Sequence, residues 1–139
     1  MIVKSLSAAM AAGLLSVLAM GTPATAQAGN VANATLGCYV DTYAYDYITD
    51  GACFSGWTPW GATNPSVAVF EVGNLPAGTY SFTWRDSSTN QVVCQGSSNS
   101  CVRDIAVNET LGVTVYVQDV QTGATRQLSA IAAFYDAYN

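Results

Sequence analysis

Apolar and polar positions alternate with a period of two along the second half of the chain, the pattern of strands that bury one face. In TYSFTWRD, Tyr80, Phe82 and Trp84 alternate with Ser81, Thr83 and Arg85. In LGVTVYVQD, Val113, Val115 and Val117 alternate with Thr114, Tyr116 and Gln118, and in TRQLSAIAAFY, Leu128, Ala130, Ala132 and Phe134 share one parity. NPSVAVFEV, QVVCQ and SCVRDIAV read as further strands, with NLPAG, SSTN, QGSSNS and VQTGA as the turns between them. β-Branched and aromatic residues dominate, so no amphipathic helix is expected here, and Ala130–Ala133 is the one stretch where a helical turn competes.

The first half is less regular. LGCYVDTYAYDYI, from Leu36 to Ile48, places Tyr39, Asp41, Tyr43, Tyr45 and Tyr47 on one parity, as one face of a long strand. A long loop is expected from Thr49 to Pro65, where Gly51, Gly56, Pro59, Gly61 and Pro65 surround Phe54, Trp57 and Trp60. Gly29 to Thr35 is small and polar and reads as a mobile or edge segment. With the Tyr-rich run, the periodic segments number about seven at turn spacings of about 10 residues, which predicts an all-β antiparallel sandwich.

Composition adds a compartment. Lys4, the apolar run from Ala8 to Met20 and the small residues of TPATAQA make residues 1–28 a cleavable export signal. The apolar run is shorter than the about 20 residues that span a bilayer, and no second candidate span follows. Residues 29–139 then form a single domain, expected to be secreted into the extracellular or periplasmic space without membrane insertion. Four cysteines outside the cell favour two disulfides. Of the three possible pairings, a Cys94–Cys101 bridge staples the QGSSNS turn as a hairpin and leaves Cys38 with Cys53. In the chain-entropy account these loops contribute about 2.5 and about 3 kcal/mol respectively.

Charge and residue inventory exclude several chemistries. Beyond the leader only Arg85, Arg103 and Arg126 oppose nine carboxylates, so no basic surface can neutralise a run of phosphates, and nucleic acid is excluded as a partner. The chain has no His, and no Lys beyond the leader, so the usual bases of Ser and Cys hydrolases are missing; a non-catalytic protein is expected. The cysteine spacing does not fit a zinc site, and neither a cofactor nor a metal is expected. Asp41, Asp46 and Asp50 offer hard oxygen ligands of the kind calcium takes, but they match no EF-hand spacing and read as solvated carboxylates guarding an edge strand. Asn33 in N-A-T and Asn108 in N-E-T match the glycosylation acceptor pattern, which matters only in a eukaryotic secretory route.

The block from Asn64 to Phe134 resembles secreted bacterial immunoglobulin-like domains, including the polycystic-kidney-disease type. Tyr80–Trp84 stands for the Y-x-F-x-W strand and Val113–Asp119 for the V-x-V-x-V-x-D strand, and the turn QTGAT with Leu128–Phe134 completes the final hairpin. The likeness covers about half of the chain and implies an immunoglobulin-like sandwich with Trp84 in its core. It departs from the family in two places: the strands around Val67 and Val115 carry no Cys, and WRDSST replaces the W-x-F-G-D-G sequence.

Function is carried by the aromatic segment. Tyr39, Tyr43, Tyr45, Tyr47, Trp57 and Trp60 form either a recognition platform, because amphipathic rings give large contact area at low entropic cost, or packing that closes one end of the sandwich. The leading expectation is a secreted binding or adhesion-type module that contacts an unknown protein or glycan through Tyr43, Tyr45, Tyr47, Trp57 and Trp60. The alternatives are a structural subunit of an extracellular assembly and a secreted inhibitor presenting the loop closed by Cys38 and Cys53.

Overall fold

The computed structural model describes residues 30–43 and 46–138. The leader 1–28, Gly29, Ala44, Tyr45 and Asn139 lie outside the described residues, and with them the expected export signal. No helix occurs among the described residues. Nine strands do: β1 (Thr35–Val40), β2 (Thr49–Asp50), β3 (Ala52–Trp57), β4 (Ser66–Gly73), β5 (Tyr80–Asp86), β6 (Val92–Gly96), β7 (Ser100–Ile105), β8 (Glu109–Asp119) and β9 (Thr125–Asp136). They form a sheet in the order β2-β1-β4-β7 and a second in the order β3-β9-β8-β5-β6.

The two-residue periodicity places the core. From β1 come Leu36, Cys38 and Val40, and from β4 Ala68, Phe70 and Val72. The facing sheet supplies Phe82 and Trp84, then Leu111, Val113, Val115 and Val117, then Ala130, Ala132 and Phe134. Ala130–Ala133 is interior strand, paired with β8 from Thr110 to Val113, so the ladder overrides any helical preference of its alanines. Tyr80, at the start of β5, lies at the margin of the core and donates its hydroxyl to the Pro76 carbonyl at 2.9 Å.

Three parts of the first half differ from the sequence reading. The Tyr-rich strand stops at Val40: its partner β4 begins at Ser66, the last ladder contact is Asp41 N–H to the Val67 carbonyl at 2.8 Å, and Tyr43 N–H bonds the Gly61 carbonyl in a bend and not a strand. The expected loop from Thr49 contains two strands, β2 and β3. Gly51 turns between them with φ of 77°, a backbone setting that suits glycine. β3 runs parallel to β9, from Ala52 opposite Ile131 to Trp57 opposite Asp136, so the larger sheet is mixed and not purely antiparallel. Finally, the segment 30–34 is tied down, with Val31 and Ala34 buried in the core.

Both disulfides cross between the sheets. Cys38 of β1 joins Cys53 of β3, with Cα atoms 5.7 Å apart, and Cys94 of β6 joins Cys101 of β7, at 5.9 Å. The second bridge therefore does not staple a hairpin: β6 pairs with β5 and β7 with β4, and QGSSNS carries the chain from one sheet to the other. On the smaller sheet both bridges leave from one transverse row, Cys38–Phe70–Cys101. On the larger sheet the row through Cys94 passes Trp84 and Val115 to reach β9 at Leu128, whereas Cys53 lies opposite Ala132.

Candidate functional site

The Cys38–Cys53 flank is where the chain leaves regular pairing. β1 delivers the backbone to Asp41, whose carbonyl accepts the Ser66 hydroxyl, and Tyr43 N–H donates to the Gly61 carbonyl at 3.0 Å. The chain returns as β2, with Thr49 opposite Cys38 and Asp50 opposite Gly37, and enters β3. The described residues 41–43 follow β1 and 46–48 lead into β2, and the Cys38–Cys53 disulfide ties β1 to β3 on this flank.

A cleft of about 260 Å³ opens in this flank, lined by Tyr39, Tyr47 and Phe54, by Asp46, and by Thr42, Thr49 and Ser55, with Val40 and Cys53 completing it. Asp46 accepts a long hydrogen bond from Thr42 N–H at 3.5 Å. Burial raises the Tyr39 hydroxyl above its ordinary value, and the negative charges of Asp46, Asp41 and Glu71 push it further the same way. The cleft is therefore electronegative as well as aromatic. No group of three or more His, Cys, Asp or Glu side chains among the described residues is placed to hold a metal ion.

The anticipated contact residues separate. Tyr43 is 76 % exposed, Tyr47 75 % and Trp60 72 %. Tyr45 lies outside the described residues. Trp57 is half-buried against the core, and its indole N–H is buried without a hydrogen-bond partner among the described residues. It therefore serves packing, as β3 directs it inward with Cys53.

The aromatic surface also includes residues that the reading of the chain did not single out as contacts. Phe54, 70 % exposed, sits on the outward parity of β3 and joins the cleft. Tyr138 meets Trp60 edge to face, with ring centroids 5.4 Å apart, and Tyr135 is exposed beside Gly56. Their association depends on the parallel β3–β9 pairing, a contact between segments about 80 positions apart that no local pattern encodes. Compared with protein-family models, with curated proteins and with solved structures, the chain has no match.

Proposed function

We propose that this chain is an exported, non-catalytic binding module built on an immunoglobulin-like sandwich, with the aromatic flank around Tyr39, Tyr43, Tyr47, Phe54 and Trp60 as its contact surface for a protein or glycan. The fold part of this reading is supported by strand order: β1, β4 and β7 face β9, β8, β5 and β6 as the A-B-E strands face the G-F-C-C′ strands of that family. The two bridges lie at the flanks, whereas antibody domains join the sheets centrally. Two disulfides suit the oxidising compartments outside the cytoplasm, which agrees with residues 1–28 acting as an export signal.

One observation carries the functional part. Tyr43, Tyr47, Phe54 and Trp60 each leave 70 % or more of their surface in water, although the core is filled without them by Trp84, Phe70, Phe134 and the valines of β8. A large apolar ring kept in water forgoes the stabilisation of burial, and a cluster of such rings marks a contact surface. Disulfide bracing lowers the ordering cost of docking at such a surface. The same bracing supports a narrower version of the reading, an inhibitor that presents the loop closed by Cys38 and Cys53 to a foreign enzyme. The structural-subunit alternative loses one of its motives, because the segment 30–34 is packed into the core and is not free to complete a neighbour's sheet.

The test is a glycan array together with pull-down from extracellular material, comparing the wild type with a variant carrying Tyr43→Ser, Tyr47→Ser, Phe54→Ser and Trp60→Ser. The expected result is loss of the wild type's ligands in the variant. Ligands retained at wild-type strength would remove the flank from consideration.

A further inference from the structure

We propose that the cleft beside Tyr39 receives an organic cation, the alkylammonium group of a larger ligand; this rests on the binding reading above and specifies its chemistry. The cleft combines Tyr39, Tyr47 and Phe54 with the Asp46 carboxylate, and among the described residues no Arg or Lys lines it. Ring faces carry negative electrostatic potential and attract cations, and a carboxylate beside them adds direct charge attraction. A neutral sugar would use the rings and hydroxyls but gain little from the carboxylate, and an anion would be repelled.

Two further observations point the same way. The Tyr39 hydroxyl feels three carboxylates, Asp46, Asp41 and Glu71, so the negative potential extends beyond one side chain. The described cations lie elsewhere: Arg103 pairs with Asp86 at 3.7 Å, Arg85 donates to the Asn90 carbonyl at 2.8 Å, and Arg126 stands opposite Val117, before the part of β9 that meets β3. Size narrows the ligand. About 260 Å³ falls below the usual range for whole small-molecule ligands, so it fits a head group or the end of a side chain.

The experiment titrates the exported protein with choline chloride, following backbone amide resonances by NMR, in parallel with the uncharged isostere 3,3-dimethylbutan-1-ol, glucose and sodium acetate. Choline is expected to move the amides of Tyr39, Thr49 and Ser55 with a Kd of about 1–10 mM, and the isostere to bind at least about fivefold more weakly. Asp46→Asn is expected to weaken choline by about threefold to tenfold, and Phe54→Ala by a similar factor. Both side chains are exposed, so the variants keep the wild-type fold, verified by their spectra. Equal binding of choline and its isostere, stronger binding of glucose or acetate, no shifts at the cleft, or choline affinity unchanged in Asp46→Asn would each overturn the proposal. The two readings fail separately. Macromolecular ligands lost in the four-serine variant while choline does not bind would leave the flank as a contact surface and refute its cation chemistry. Choline bound in the cleft while those ligands persist would do the reverse.

Discussion

At the scale of single residues, Asp86 shows how a turn acquires pH dependence. Its Oδ1 accepts from the Ser88 hydroxyl at 2.6 Å, from Thr89 N–H at 3.0 Å and from Ser88 N–H at 2.9 Å. These bonds, the Ser88 hydroxyl foremost, lower its carboxyl from 3.8 to about 2. A carboxyl held lower in the folded than in the unfolded state stabilises fully above the unfolded value, and that contribution is lost as pH falls through about 2. Asp86→Asn is therefore expected to flatten the decline in denaturation midpoint between about pH 4 and pH 2, measured in urea. An unchanged decline would show that the turn contributes nothing. Trp57 tests a different cost. Its indole N–H is buried unpaired, so Trp57→Phe removes an unsatisfied donor and is expected to cost less than about 1 kcal/mol, whereas Trp57→Ala opens a cavity and costs about 3 kcal/mol or more. A Phe variant as unstable as the Ala variant would contradict this account of the indole. Trp84 was legible as core from its alternation with Phe82; for Trp57 the sequence left packing and contact both open, because Gly56 and Pro59 around it read as loop.

At the scale of elements, β3 is the strand that organises the flank. Its outward side touches β9 so closely that a Cβ on Gly56 would lie 2.8 Å from the Ala137 Cβ and 3.3 Å from the Tyr135 ring. Gly56→Val is expected to destabilise by about 1–3 kcal/mol through overpacking, read from urea denaturation, and to shift the Trp60 and Tyr138 resonances. An effect confined to stability, with those aromatic signals unmoved, would uncouple β3 from the patch. The strand's glycine, required by close packing, is the residue that made it look irregular. β4, β5, β8 and β9 were recognisable because each carries a clean alternation, and two pairings among them, β5–β8 and β8–β9, lie within the larger sheet. The Tyr run misled for the opposite reason: it has the alternation of a strand, but the ladder between β1 and β4 ends at Asp41.

At the scale of the whole molecule, the sandwich is closed covalently at both flanks and packed in the middle by Phe70 and Trp84. Removing Cys38 and Cys53 together is expected to cost about 3 kcal/mol or more, and removing Cys94 and Cys101 about 2.5 kcal/mol, since the first closes the longer loop and both its sulfurs are buried. Melting that ranks the two variants in the reverse order would place the larger constraint on the β6–β7 side. The cysteine count and the turn between Cys94 and Cys101 led to the observed pairing, but not to its role, because whether two successive strands share a sheet is decided by their other neighbours. The core is filled by other side chains than the exposed rings, and disulfides close both flanks. The thermal midpoint of the variant carrying Tyr43→Ser, Tyr47→Ser, Phe54→Ser and Trp60→Ser tests this most directly. The account predicts a midpoint within about 3 °C of the wild type, whereas a fall of about 10 °C or more, the size of a core lesion, would mean that these rings hold the fold together.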